Sequence, residues 1–307
     1  MLQDLEMSRQ TRKEDEATHK GNDLKYELAF YGGSFTAMPA EEQERLLDAA
    51  LPFLSSGLLS GIRVSTRPDA IDNAAIDRLA RYGVGTVELG AQSMRDTVLD
   101  AAGRGHTSED TRRAARLLKS HGFSLILQMM TGLPRDDDEG AIYTAREFVE
   151  LKPDGVRVYP TVVIKDTALC DMWRNGTYSE HTVEDAVRIG ARIIPIFEGA
   201  GIPIIRFGLN PTEDLSGGDA VAGAYHPALG ELAYARVMLS RASELMRARG
   251  VQHGSRVELG VNPRDISRVT GQHRANIEAL TAAFGLAELK ICATEVGKGE
   301  ILLISAI

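Results

Sequence analysis

The sequence predicts an α/β protein built on parallel strands, and three observations carry that prediction. Short apolar runs alternate with helix-patterned segments from residue 26 to residue 209. The runs are near-continuously apolar, as strands covered on both faces are. Nearly every run then stops in glycine or polar residues: GGS, STRPD, ELGAQS, QMMTGLP, YPTVVIKDT and RFGLNPTE. Repeats of this length imply crossover connections and a parallel sheet. An open doubly wound sheet gathers its functional loops at one switch point. A barrel draws them from the carboxyl end of every strand, so the pattern favours a (β/α) barrel.

Each element has its own justification. YELAFYGG (26–33) is an apolar run closed by two glycines. AEEQERLLDAALPFL (40–54) has helical spacing at Leu46, Leu47, Ala50 and Leu51. GIRVST (61–66) is a strand, and AIDNAAIDRLARYG (70–83) a helix stopped by Gly83. GTVELGAQS (85–93) is a strand. SEDTRRAARLLKSHG (108–122) is a helix with Ser108 as its N-cap and Gly122 just past its end. FSLILQMM (123–130), the helix DDEGAIYTAREFVELK (137–152) and the strand GVRVYPTVVI (155–164) follow. TVEDAVRIGARIIPIFEGAG (182–201) is a threonine-capped helix, and IPIIRFGL (202–209) is the sixth strand.

From about residue 225 the rhythm changes. A long amphipathic helix (226–250), a short strand (255–261), a helix–turn–helix (264–285) and two strands (286–296, 300–307) make a small α+β unit. The division is therefore a charged, frayed N-terminus (1–25), a barrel unit (26–224) and a C-terminal unit (225–307).

Bulk properties narrow the function. The chain has 307 residues and a formal charge of −8, so it does not bind nucleic acid by overall charge. A local basic patch stays open. Apolar runs are too short for a membrane span, and the polar start MLQDLEMSRQTRKEDEATHK is not a secretory signal, so a cytoplasmic protein is expected. The two cysteines, Cys170 and Cys292, form no CxxC pair and suggest neither a disulfide framework nor a zinc or iron–sulfur site. Gly32-Gly33 ends a strand in bare backbone. That suits a turn, or a ligand lying directly against main-chain atoms.

The motifs FYGGSFT, STRPD, ELGAQS, AAGRGHT, QMMTGLP and VYPTVVIKDT, in this order, resemble the radical S-adenosylmethionine (radical SAM) superfamily. Within it they are most similar to the branch of the Elongator catalytic subunit. Oxygen-independent coproporphyrinogen-type enzymes are more distant. The resemblance covers residues 26 to 230 and implies a partial TIM-like barrel with S-adenosylmethionine as cofactor. It assigns Gly32, Gly33 and Ser34 to the segment whose carbonyls meet the cofactor's amino group. Ser34 stands where many relatives carry Glu. Arg104 matches the residue that pairs with the carboxylate, a partner suited to a planar guanidinium. Gln92 lies near the methionine moiety. Ser65 and Gln128 occupy positions that often hold carboxylates for the amino or ribose groups.

Other residues are read from their own chemistry. Glu88, inside an apolar strand, must be paired or protonated. Arg63, Arg67 or a substrate are its candidate partners. His106, Tyr159, Lys165 and His226 are candidates for the substrate side, or scaffold residues at strand ends. Asp136-Asp137-Asp138 suit a helix N-terminus better than a metal.

The family holds a 4Fe–4S cluster on a CxxxCxxC triad after the first barrel strand. A reductant such as flavodoxin or ferredoxin reduces it, the S–C5′ bond cleaves and a deoxyadenosyl radical forms. No cysteine precedes residue 170 here. The expectation is a chain that begins after the first strand and the cluster loop and is inactive alone. Loss of radical chemistry is the alternative. YELAFYGG would then be an unpaired apolar edge. Two or three missing aliphatic side chains, at about 1.5–3 kcal/mol each, would approach a domain's net stability of roughly 5–15 kcal/mol. The chain is thus expected to be marginally stable, aggregation-prone and without a cluster.

Arg236, Arg241, Arg247, Arg249, Arg256, Arg264, Arg268 and Arg274 give the C-terminal unit a candidate basic face. Gly271-Gln272-His273-Arg274 resembles the GxxG loop of a KH-type RNA-binding segment, with Arg274 in place of the second glycine. Elongator-like proteins modify the tRNA wobble uridine and carry a following acetyltransferase domain, for which this chain has no room. A tRNA or other RNA partner is therefore implied, without acetyl-CoA chemistry. A non-catalytic RNA-binding or scaffold protein with a relic barrel, and an unrelated barrel enzyme with a phosphate-bearing ligand, are the competing readings.

Overall fold

The structure, a computed structural model, describes residues 26–210 and 218–307. The expectation for residues 1–25, and the end of the RFGLNPTE tip, lie outside the described residues. Strands β1 (Tyr26–Phe30), β2 (Leu59–Thr66), β3 (Val84–Gln92), β4 (Ser124–Thr131) and β5 (Gly155–Pro160) follow in chain order. After β6 (Val162–Ile164), strand β7 (Ile204–Phe207) completes a sheet of order β1-β2-β3-β4-β5-β7, with every neighbouring pair parallel. The six strands form a half-barrel, the partial barrel that the family resemblance implies; the alternation and strand-end clusters favour a barrel without saying that it is partial. No described strand pairs with the outer side of β1.

Helices α1 (Ala40–Ser55), α2 (Asn73–Arg81), α4 (Ser108–Ser120), α5 (Asp138–Leu151) and α7 (Val183–Gly199) carry the crossovers, with short α3 (Asp96–Ala101) and α6 (Ala168–Arg174) between them. Alternate strand residues turn into the main core with these helices: Ile62 and Val64 on β2, Val87 and Leu89 on β3, Leu125 and Leu127 on β4, Val156 and Val158 on β5. Each such buried aliphatic contributes roughly 1.5–3 kcal/mol. Residues of the opposite parity line the concave face, because successive side chains of a strand alternate. That face is polar, with Arg63, Ser65, Glu88, Gln128, Arg157 and Tyr159, so the strands are less uniformly apolar than expected.

Two local expectations are corrected. The N-cap of α4 is Thr107, not Ser108: Thr107 and Asp110 form a reciprocal capping box. The single strand 155–164 breaks after Pro160, which has no N–H for a ladder. Thr161 instead donates both its amide and its hydroxyl to the Thr131 carbonyl. The chain beyond it becomes β6, which pairs antiparallel with β8 (Ala220–Gly223). With α6 this ribbon buries Val163, Cys170 and Tyr178 in a satellite cluster.

Helix α8 (Leu229–Ala248) leads into β9 (Arg256–Val261), α9 (Ile266–Thr270), α10 (Ala275–Phe284), β10 (Glu288–Ala293) and β11 (Ile301–Ala306). The last three strands form a sheet of order β10-β9-β11, with β10 parallel and β11 antiparallel to β9. Leu229, Ala233 and Val237 of α8 belong to the main core, whereas Ala242 and Met246 pack with Val257, Leu259 and Leu280 in a second one. No described helix is long and apolar enough to cross a membrane.

Candidate functional site at the strand tips

The carboxyl ends of β1 to β4 bring together the residues singled out by sequence. At the tip of β1, Gly32 has φ +101°, a conformation that favours glycine, and a Cβ on Gly32 or Gly33 would meet nothing within 4 Å. The turn therefore presents bare backbone to open space. Ser34 is bound to its neighbours: its Oγ lies 2.9 Å from Thr66 Oγ1 and accepts the Arg67 amide at 3.0 Å. Thr66 Oγ1 also lies 2.6 Å from Thr36 Oγ1. Ser34 thus stitches the β1 tip to the β2 tip.

At the tip of β3, Gln92 is buried and left-handed, with φ 66°. Its Oε1 accepts from Gln128 Nε2 at 3.1 Å, so the two predicted amides form one unit. Ser65 pairs in register with Glu88 on the same concave face. Arg104 reaches this group from the loop after α3. Its Nε is buried without a hydrogen bond, and burial, then the charge of Arg67, pulls its pKa below the usual guanidinium range. Arg67 is itself held by Asp69 at 2.6 Å. A Cβ on Gly90 would lie 2.8 Å from Gln92 Nε2 and 3.9 Å from Arg104 Nη2. Gly90 therefore opens the cradle in which these side chains meet.

Deeper on the concave face, Glu88 is 1% exposed, and its partner is Arg157 of β5, with Nε 3.0 Å from Oε2. This corrects the choice between Arg63 and Arg67, because Arg63 is paired with Glu27 at 2.8 Å. Burial pushes the Glu88 carboxyl above its usual range, and Arg157 and Arg63 draw it partly back. Arg157 also donates to the hydroxyls of Tyr159 at 3.2 Å and Tyr31 at 3.1 Å. Sequence reasoning missed Arg157 and Tyr31. The alternation Gly155-Val156-Arg157-Val158-Tyr159 was the signal for Arg157, since it turns Arg157 and Tyr159 to one face.

The remaining candidates are held by the scaffold or exposed away from these contacts. His106 is buried, with Nε2 3.1 Å from the Ala91 carbonyl. Lys165 is exposed beyond β6, and His226 Nδ1 accepts the Ala228 amide at 3.1 Å. Asp137 caps α5 and pairs with Arg95 at 2.9 Å, while Asp138 pairs with Arg188. No group of three His, Cys, Asp or Glu among the described residues is placed to hold a metal.

In the C-terminal unit, Arg236, Arg241 and Arg268 are paired with Glu184, Glu198 and Glu231. Arg268 also lies 4.2 Å from the centre of the Tyr234 ring. Arg274 is exposed at the loop before α10, where it and His273 are left-handed.

Two absent groups can be tested against these residues. S-adenosylmethionine fits: Arg104 offers a half-buried guanidinium, its Nε buried and unbonded and with no ion pair to a described residue, to a carboxylate, and Gly32-Gly33 and Gly90 leave room beside main-chain atoms. A cysteine-held cluster does not. Cys170 is buried in the satellite cluster and Cys292 lies on β10, and the chain's two cysteines cannot supply a three-cysteine ligand set.

The Radical SAM superfamily profile matches residues 6–148, and the Radical_SAM C-terminal domain matches residues 153–241. The tRNA uridine(34) acetyltransferase of Methanocaldococcus jannaschii is 34% identical over 185 residues, 54% of this chain and 34% of that protein. Elongator complex protein 3 of Bos taurus is 30% identical over 233 residues, 69% of this chain and 42% of that protein. The chain thus spans about a third to two-fifths of these relatives' length. The archaeal Methanocaldococcus infernus Elp3 with an N-terminal deletion superposes with a TM-score of 0.61 at 27% identity, over 79% of this chain and 58% of that one. The matched profiles and the half-barrel agree: the chain belongs to the radical SAM superfamily and is similar to its Elongator complex protein 3 branch.

Proposed function

We propose that this chain binds S-adenosylmethionine at the strand tips and serves an Elongator-type modification of RNA, with tRNA as the substrate. The observation that carries the reading is Arg104, a half-buried guanidinium with an unbonded Nε and no ion pair to a described residue. Taking a cation out of water without a counter-charge is costly, so its natural complement is a ligand carboxylate. Gly32 and Gly33 offer main-chain carbonyls to the cofactor's amino group. Ser34 and Ser65 flank that end, and Gln92 and Gln128 offer amide groups to the methionine and ribose ends. When bound, the cofactor supplies a sulfonium whose S–C5′ bond is open to reductive cleavage, with flavodoxin or ferredoxin as the class of donor. The part played by the strand-tip residues is to bind and orient it.

The relatives named for tRNA uridine(34) support the RNA substrate. Residues 225–307 would add the RNA contact through the KH-like loop ending at Arg274. A second reading is a non-catalytic RNA-binding scaffold on the same barrel. Calorimetry with S-adenosylmethionine, S-adenosylhomocysteine and inorganic phosphate tests the cofactor site. Binding of both sulfur nucleosides, lost on Arg104→Gln, is expected. Heat with phosphate alone would indicate an unrelated phosphate-binding barrel. A tRNA gel shift unaffected by loss of the Arg104 side chain, with no sulfur nucleoside bound by the native chain, would favour the scaffold.

A further inference from the structure

Tyr31 immediately precedes Gly32-Gly33, at the point where the chain leaves β1. Its ring is 55% exposed, yet its hydroxyl is held. Arg157 Nη2 donates to it at 3.1 Å, and Glu88 Oε2 lies 3.5 Å away. Arg157 is fixed in turn by Glu88 through Nε at 3.0 Å and by the Tyr159 hydroxyl through Nη1 at 3.2 Å. In the sheet, β2 separates β1 from β3, and β2, β3 and β4 separate it from β5. The Tyr31–Arg157 bond therefore crosses the concave face instead of joining neighbouring strands.

The other end of the turn is held by Ser34, through Thr66 and the Arg67 amide. Between these two anchors Gly32 and Gly33 have left the β1–β2 ladder, which ends at Phe30↔Val64. A glycine pair in open space samples many backbone conformations unless both ends are fixed.

We propose that Tyr31 is a positioning residue: its hydroxyl, gripped by Arg157 and Glu88, fixes the Gly32-Gly33 turn in the conformation that receives the cofactor's amino group. The proposal rests on the S-adenosylmethionine reading above. It makes the floor of the half-barrel and the cofactor site one mechanical unit.

The test compares the full chain with Tyr31→Phe, which removes one oxygen and keeps the exposed ring. Backbone order parameters from amide relaxation are followed across residues 26–40, S-adenosylmethionine affinity by calorimetry, and the melting temperature alongside. The order parameters of Gly32 and Gly33 are expected to fall from about 0.85 to below about 0.6, and affinity to weaken roughly three- to tenfold, the range of one lost hydrogen bond, with order in β2 unchanged. The double variant Glu88→Gln, Arg157→Gln, which leaves no lone charge behind, should loosen the same two residues. Adding Tyr31→Phe to it should loosen them no further. Unchanged order at Gly32 and Gly33 in Tyr31→Phe overturns the proposal, even if the cofactor binds. Lower order there with unchanged affinity overturns it as well. If the native chain binds no cofactor while Tyr31→Phe still lowers order at the turn, the cofactor reading falls and the brace stands.

Discussion

The Arg104 guanidinium lies against the bare α-carbon of Gly90, 3.9 Å from where a Cβ would sit, and the Gln92 amide is closer still at 2.8 Å. Gly90→Ala should therefore displace the end of a flexible glutamine without distorting the fold. Stability is expected to fall by less than about 1 kcal/mol, while S-adenosylmethionine affinity falls severalfold. Urea titration and calorimetry on the same preparation separate the two effects.

Arg104→Gln should act in the opposite sense on stability. The guanidinium is partly desolvated with no ion pair to a described residue, so the free chain is expected to hold or gain stability. Cofactor affinity should drop about 10- to 150-fold, as for a lost charged hydrogen bond of roughly 1.5–3 kcal/mol. Equal affinity in the two proteins would remove Arg104 from the site.

Asp136 gives the clearest pH dependence. Burial raises its carboxyl from 3.8 to about 6, against the pull of the Asp137 amide and Arg95. A folded-state value above the unfolded one means that the folded protein holds the proton more tightly. The stabilisation is complete below pH 3.8 and is lost as pH rises through about 6. Asp136→Asn should therefore match the native chain near pH 4 and exceed it at pH 8 by about 2–3 kcal/mol, at 1.36 kcal/mol per pH unit. Chemical denaturation at the two pH values measures the difference.

Arg268 and Arg274 should behave differently on substitution by alanine. Arg268 is paired with Glu231 and lies over the Tyr234 ring, so Arg268→Ala is expected to cost about 1–2 kcal/mol of stability. Arg274 is exposed before α10, so Arg274→Ala should leave the melting temperature alone and weaken a tRNA gel shift. A shift indifferent to Arg274→Ala would remove the KH-like loop from the RNA contact.

The regular elements of the barrel were legible because each spans several residues of one period. Strand β3 and helix α4 fall within a residue or two of their predicted limits. Strand β6, strand β8 and helix α3 are three to six residues long, too short for a period to register. The residues gathered at the strand tips were legible through motifs, each of which is local in sequence. The Glu88–Arg157 pair was not, because it depends on which strands face one another across the concavity. Strand parity could have placed Arg157 on the inner face. Only the curvature of the sheet brings it to Glu88 and Tyr31.

Helix α8 gives its first turns to one core and its last turns to the other. Heat or denaturant cannot then release one lobe while leaving the other whole, because loosening either strips apolar side chains from the same rod. Unfolding should run as a single cooperative event, and a proteolytic cut within that rod would destabilise both halves at once.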